Sequence, residues 1–506
     1  MENSIKKSNR PPYGIITILM IGAFISFLNN TLLNIAIPTI MEDLEIGATT
    51  AQWLTTGFML VNGILIPATA FLIQKFSVRQ IFLAAMVLFT FGTVLAGFAH
   101  TFPILLAGRL LQASGSAIMM PLLMNVMLVS FPVEKRGAAM GVFGLILMFA
   151  PAIGPTLSGW IIEHYDWRML FHFITPIAVI VLLIGFFLLK DKKEKVDIRL
   201  DVFSLILSSI GFGGILYGFS SAGSKGWDSP YVYLTIVVGA ISLIFFIIRQ
   251  LKQEKPLLNL DVYRYPMFTL SSIISMILNM ALFSGMLLLP IYVQNIRGIS
   301  PMDAGLLLMP GALLMAFMSP LTGKLFDRFG GRVLAVIGLA IMVVTTYFLS
   351  RLELDTTYLN LMIIYSVRSL GISMVMMPVS TNGLNQLPRH LYPHGTAMNN
   401  TLNQVAGAIG TALLVTIMTN RTESQAKELG AIAMQNMTEQ PTQEALAQMQ
   451  QNILTQATLE GINYSFLIAA GISVVALVLA FFIKRAKPME ETQPKEKNVN
   501  KVLAEN

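Results

Sequence analysis

Fourteen apolar runs divide this 506-residue chain, and each approaches or exceeds the length needed to cross the hydrocarbon core of a bilayer. That core is roughly 30 Å thick and takes about 20 helical residues. The runs lie at about 13–38, 50–74, 80–99, 102–129, 137–162, 168–189, 200–220, 231–250, 267–294, 302–326, 333–350, 358–386, 395–419 and 462–484. In lipid the backbone must satisfy its own hydrogen bonds, so only helices and closed barrels span. Runs of this length exceed the roughly ten residues of a barrel strand and lack its alternation. The expectation is an all-α integral membrane protein with fourteen transmembrane helices. A content of 55% apolar and 12% charged residues, with mean hydropathy +0.68, excludes a soluble domain.

An even number of spans puts both ends on one side, and 26 of the 34 Lys and Arg residues fall on that side. The positive-inside bias then makes both termini cytoplasmic and accounts for the net charge of +7 without a nucleic-acid partner. The first apolar run is too long for a secretory signal and has no small-x-small cleavage site, so no cleaved leader is expected. Zero cysteines exclude disulfides and thiolate metal sites. No metal constellation, nucleophile–base pair or phosphate-binding loop stands out, so an enzyme is the least expected class.

Organisation reads as six spans, two, then six: a bundle over 1–195, a two-helix insertion over 196–262, and a bundle over 263–506. The last carries an external loop over 420–461 and a cytoplasmic tail over 485–506. In that loop Leu446, Met449 and Ile453 stand at helical spacing. The two bundles are repeats. The charged turn from Gly323 to Arg332, containing Asp327 and Arg328, has an eroded copy from Ala70 to Arg79 in which Gln74 takes the place of Asp327. Each turn is followed by an arginine inside a span, Arg109 and Arg368. Parallel repeats of this kind enclose a binding cavity near the midplane.

The repeated turn resembles the signature loop of the major facilitator superfamily. Further likenesses run along the chain: Leu28 to Pro38, Arg109 to Gly115, Pro151 to Trp160, Trp167 to Phe171, Ser300 to Gly305 and Gly395 to Gln404. Together they resemble the fourteen-span drug:proton antiporters, most closely their lincosamide-resistance branch. The resemblance implies a multidrug exporter of lipophilic or amphiphilic small molecules that works by alternating access, as a monomer in the lipid of the cell membrane. It would need no cofactor, because the proton gradient supplies the energy. It implies that Arg109, with Gln112 one turn on, takes part in proton coupling. It also implies that the span-five segment with Gly154, Pro155 and Gly159 separates exporters from importers. Two alternatives stay open: an exporter or flippase of an endogenous amphiphile or lipid, and a non-transporting sensor or scaffold.

One departure stands out. The family places an acid at or beside Asn29, and none of the 27 Asp and Glu residues here falls near the middle of a span. Coupling would then run through peripheral groups: Glu163, Asp166, His172 and Asp303 at the outer ends, or Glu134 and Asp327 at the inner ends. His172 has a side chain that titrates near neutrality, although a lone histidine is more often hydrogen-bonded structure. Asp303 has capping-box spacing from Ser300. Asp327, Arg328 and Arg332 are expected to form a charge cluster that latches one conformation. For the cavity, Asn29, Asn30, Asn34, Asn279, Asn399, Asn400 and Gln404 supply uncharged hydrogen-bonding groups. Trp53, Phe58, Met148 and Tyr292, with Phe24, Phe27 and Phe283, supply apolar surface.

Overall fold

The computed structural model describes residues 12–51, 53–190, 200–435 and 443–485. Among these residues the chain forms fourteen long helices, joined by short turns, 3-10 segments, one short helical turn (Ala48–Ala51) and a π-helical turn (Tyr292–Ile296). The first bundle holds α1 (Tyr13–Asp43), α2 (Trp53–Lys75), α3 (Val78–Gly97), α4 (Phe102–Ser130), α5 (Arg136–His164) and α6 (Met169–Leu188). The inserted pair is α7 (Val202–Lys225) and α8 (Pro230–Lys252). The second bundle holds α9 (Pro266–Ile291), α10 (Pro301–Phe329), α11 (Gly331–Leu349), α12 (Tyr358–Asn385), α13 (Tyr392–Gln435) and α14 (Gln443–Ala480).

Thirteen of these helices are long and apolar enough to cross a membrane, which makes this a multi-pass membrane protein. The other is α9, with 26 residues, whose described apolar stretch Pro266–Leu282 is shorter. It also carries buried Ser271, Ser272, Ser275 and Asn279.

Helix ends follow local chemistry. Ser77 and Gln80 form a reciprocal capping box at the start of α3, and Ser300 caps α10 through the amide of Asp303. Gly330 joins α10 to α11 at φ +81°, in the region that only glycine occupies at little cost, so the charged turn ends in a Gly-Gly pair. Asp201 caps α7, accepting from the Ser204 amide, and also receives Arg249 at 3.0 and 3.1 Å from α8. Burial alone would raise this carboxyl, but the bonds from Arg249, Ser204 and Gln253 outweigh it and hold it below the usual carboxylate range.

The two bundles meet most closely along α5 and α10. A Cβ on Gly137 would overlap the Gly323 carbonyl and the Asp327 carboxylate, and one on Gly323 would overlap the Gly137 carbonyl. Only glycine at both positions lets the backbones touch here. On the opposite flank α2 faces α13, where Ala70 and Phe71 pack with Ala397 and Met398. The inserted pair covers that flank: Phe212 and Leu216 of α7 pack with Val405 of α13 and Leu60 of α2.

One expectation is corrected. The segment 420–461 is not a loop bearing a single amphipathic helix. Helix α13 runs unbroken for 44 residues and α14 for 38, so both continue past the bilayer as a helical pair. At 1.5 Å per residue α13 is about 66 Å long, twice the hydrocarbon thickness. The Leu446, Met449 and Ile453 stripe faces Ala426, Gly430 and Met434 across the pair. An apolar stripe needs a partner helix, and α13 supplies it. Residues 1–11, 191–199, 436–442 and 486–506 lie outside the described residues, and with them most of the tail.

Candidate functional site

A cavity of about 230 Å³ lies between the bundles. Helix α1 contributes Ser26, Phe27 and Asn30; α2 contributes Phe58, Asn62 and Ile66; α4 contributes Ser116, Ala117 and Met120. From the second bundle come Asn279 of α9, Met376 of α12, and Asn400, Asn403 and Gln404 of α13. No ionisable side chain is among them. Three asparagines return an amide hydrogen to the carbonyl one turn back on their own helix: Asn62 to Phe58 at 3.1 Å, Asn279 to Ser275 at 2.8 Å and Asn400 to Thr396 at 2.9 Å. Those bonds fix each amide's orientation and leave its oxygen available as an acceptor. The wall is a neutral, hydrogen-bonding surface set among aromatic, methionine and isoleucine side chains, as an amphiphile requires.

Behind this wall lies Arg109 of α4, fully buried. Its Nη2 donates to Asn30 Oδ1 at 3.1 Å and its Nη1 to Gln112 Oε1 at 3.0 Å. Gln112 Nε2 in turn donates to Thr93 Oγ1 of α3 at 2.9 Å. The guanidinium lies 4.4 Å from the centre of the Phe58 ring. Asn30 and Phe58 therefore connect a buried cation to the cavity surface. The (i, i+3) spacing puts Gln112 on the same helix face as Arg109. Arg368 of α12 is held differently: it donates to the Ala281 carbonyl of α9 at 2.7 Å and to Thr346 of α11 at 3.2 Å, joining three helices.

On the side that bears the termini the bundles are tied by two contacts, related as the repeats are. Asp327 Oδ1 and Oδ2 accept the backbone N–H groups of Gly137 and Ala138, both at 2.8 Å, and so cap α5 of the other bundle. A carboxylate at a helix N-terminus satisfies orphan donors and meets the positive end of the helix dipole. In the second contact Gln74 Nε2 lies 2.8 Å from His394 Nε2 at the start of α13. His394 Nδ1 also accepts the Asn259 amide, at 3.1 Å, from the segment leaving the inserted pair. Arg136, in register with His394, donates to Asn385 Oδ1 at 3.0 Å across the bundles and lies over the Tyr392 ring. The repeats thus keep both contacts although one has lost its acid.

On the opposite side Arg168 donates to Asp43 at 2.9 Å, to Asp166 at 3.1 Å and to the Ala99 carbonyl at 2.8 Å. Trp167 Nε1 also donates to Asp43, at 3.1 Å. The Trp167 bond, with the Arg168 pair, holds the Asp43 carboxyl below its usual range against a burial that would raise it.

The cavity gathers Asn30, Phe58, Asn279, Asn400 and Gln404, with Phe27, as the sequence suggested. It does not gather the others. Tyr292 is fully buried in the core near the far end of α9 and donates its hydroxyl to the Glu353 carbonyl. Trp53 opens α2 well away from the midplane, where it stacks on Tyr217. Asn399 is buried and donates to Ser380 Oγ at 3.0 Å, one position off the lining face that Asn400 holds. Asn29 is likewise buried beside Asn30 but off that face. Met148 lines a separate small void beside Ser319 and Met377. The side chains of Asn34, Pro155 and Phe283 lie outside the described residues.

Among the coupling candidates, His172 packs edge-on against Phe98 at the far end and does not join the Arg109 network. Glu163 is exposed at the far end of α5. Asp303 is exposed, and Ser300 Oγ donates to its carboxylate at 2.8 Å, a capping role. Arg328 and Arg332 do not pair with Asp327: Arg328 turns to the Phe329 ring, Arg332 is exposed, and Arg485 instead donates to the Asp327 carbonyl at 2.7 Å. The reason is that the Asp327 carboxylate is already occupied by two amides. In α5, Gly154 presses against Thr31 of α1 and Ser158 Oγ donates to the Leu32 carbonyl at 2.6 Å, so this segment packs α5 onto α1. Gly159 has open space around it and contributes nothing to that approach. Ser26, Asn62, Ser116 and Asn403 were missed; each is a polar residue within an apolar run, the same signal that selected the others.

Comparison with known proteins agrees with this geometry. Residues 19–411 match the model of the Major Facilitator Superfamily. The MFS-type transporter YhcA of Bacillus subtilis is 52% identical over 83% of this chain and 79% of its own length. The lincomycin resistance protein LmrB of Bacillus subtilis is 43% identical over 93% of this chain and 95% of its own. The solved structure of the human organic anion transporter MFSD10 superposes with a TM-score of 0.64 at 14% identity, covering 93% of this chain and all of that one, a likeness of fold. The chain is a membrane transporter and not an enzyme, and it belongs to the major facilitator superfamily, with the lincomycin-resistance proteins among its relatives.

Proposed function

We propose that this transporter exports lipophilic or amphiphilic compounds, antibiotics among them, from the cytoplasm by alternating access, with both termini cytoplasmic and the proton gradient as its energy source. The observation that carries the reading is the neutral, partly apolar cavity between two bundles whose contacts on the termini side include one capping carboxylate, Asp327. Breaking those contacts and closing the opposite side would carry cargo across. Likeness to the lincomycin-resistance protein supports a drug as cargo. The Arg109, Gln112 and Asn30 network touches the cavity without a carboxylate and is assigned to linking cargo binding to the gradient, while the proton itself is carried by a titratable group outside it. A single proton is sufficient: about 2.3 kcal/mol per 100 mV and about 1.4 kcal/mol per pH unit sustain a useful gradient. The functional unit is taken to be a monomer without a cofactor.

The test is transport in proteoliposomes of the purified chain loaded with a lincosamide or a lipophilic dye, with an imposed pH gradient. Gradient-driven transport that Arg109→Ala abolishes is expected. Wild-type transport indifferent to the gradient would remove proton coupling, and no transport of any amphiphile tried would remove the reading as a whole.

A further inference from the structure

We infer that the preferred cargo is a lipophilic weak acid in its ionised form, whose negative charge supplies the counter-ion that Arg109 lacks. The inference rests on the transport reading above and specifies the cargo of the same cavity. Arg109 cannot shed its proton under ordinary conditions, and it is fully buried. Its hydrogen-bond partners are the neutral Gln112 and Asn30, its Nε has none, and among the described residues it forms no ion pair. A buried charge without a counter-ion is costly, and an anion brought close to it offsets that cost.

The cavity wall is built to bring one close. Asn30 gives its oxygen to Arg109, which leaves its Nδ2 hydrogens, polarised by the guanidinium, for whatever occupies the cavity that Asn30 lines. Phe58, the ring under the guanidinium, lines the same cavity. The wall contains no carboxylate that would repel an anion or attract a cation. Phe27, Ile66, Met120 and Met376 supply the apolar surface for the remainder of such a molecule. With the termini cytoplasmic, export of an anion also runs down the electrical gradient of a negative-inside cell.

A carboxylate that accepts from Asn30 would lie about 6–7 Å from the guanidinium, which at an effective dielectric of about 20 corresponds to a preference of roughly fiftyfold to a hundredfold over a neutral analogue, reduced by the carboxylate's own desolvation. The experiment uses pyrenebutyrate, its methyl ester and a pyrenebutyl-trimethylammonium salt. Binding to the full chain in detergent is read by anisotropy, and transport is read in proteoliposomes at equal pH with a potassium-diffusion potential. The wild type is expected to bind the acid at least tenfold tighter than the ester and to move it faster when the receiving side is positive. Asn30→Asp, which gives Arg109 a counter-ion from the protein, is expected to elute like the wild type and to melt at the same temperature or higher while the preference for the acid is lost. Acid and ester handled alike by the wild type, or an unchanged order in Asn30→Asp, would overturn the charge assignment and leave the transport reading standing. Failure of the wild type to bind or move any of the three would overturn both.

Discussion

Replacing Asp327 by Asn removes the charge that caps α5 across the two bundles and one of its two acceptor oxygens. Both amides it serves, Gly137 and Ala138, lie at 2.8 Å. A hydrogen bond to a charged group contributes about 1.5–3 kcal/mol, and a charge at a helix N-terminus a further 0.3–1 kcal/mol at exposed sites. Since Asn retains one oxygen, the closed contact should lose about 2–3 kcal/mol, a shift of roughly thirty- to 150-fold toward the state in which the termini side is open. The chain has no cysteine, so spin labels can be placed at Gln80→Cys and Arg332→Cys without altering any other position. Both residues are exposed on the termini side, one in each bundle. Pulsed electron-electron distances should gain a longer component in Asp327→Asn that is minor in the parent. An identical distance distribution in the two proteins would refute the view that this carboxylate controls the contact.

Gly137→Ala should have the complementary effect by sterics: its Cβ would overlap the Gly323 carbonyl, so transport should fall by at least tenfold while the protein still elutes as a monodisperse species. Asp43→Asn tests the opposite side. Because the folded carboxyl titrates below its unfolded value, its stabilisation is fully present above the unfolded pKa of about 3.9 and is lost as pH falls through the lower, folded value. The substitution should cost on the order of 0.5 kcal/mol at pH 7 for a partly exposed pair, read as a small drop in melting temperature. The two proteins should converge in thermal scans as pH falls below the folded carboxyl's lowered pKa.

The sequence shows where the helices are far better than it shows which way their side chains face. Length and hydropathy place the fourteen long helices, thirteen of them long and apolar enough to span among the described residues, and the copy of the Gly323 to Arg332 turn at Ala70 to Arg79 reveals the repeat before any coordinates. Rotation about each helix axis is another matter. In a soluble helix the polar face marks the outside, but a span surrounded by lipid and protein is apolar all round. Neighbouring asparagines such as Asn399 and Asn400 then offer no basis for choosing the one that faces the cavity. Tyr292 was misplaced because its hydroxyl finds a backbone carbonyl, that of Glu353, in the distant loop between α11 and α12, a partner that no local pattern encodes. The contact of Gln74 with His394 is hidden for the same reason, as 320 residues separate them. The helical pair beyond the bilayer was half legible: its apolar stripe was visible, its partner was not.

The inserted pair also gives the transporter a handedness toward the surrounding lipid. Two bundles of six would present two equivalent seams to the bilayer, one beside α5 and α10 and one beside α2 and α13. With Phe212 and Leu216 of α7 seated on Leu60 and Val405, the second seam is walled off by protein. The α5 and α10 seam is left without such a cover, and there the Phe149 and Phe317 rings meet edge-on across the two helices and Phe317 stands exposed. Bulk added on that flank would discriminate between compounds that arrive from the membrane and those that arrive from water.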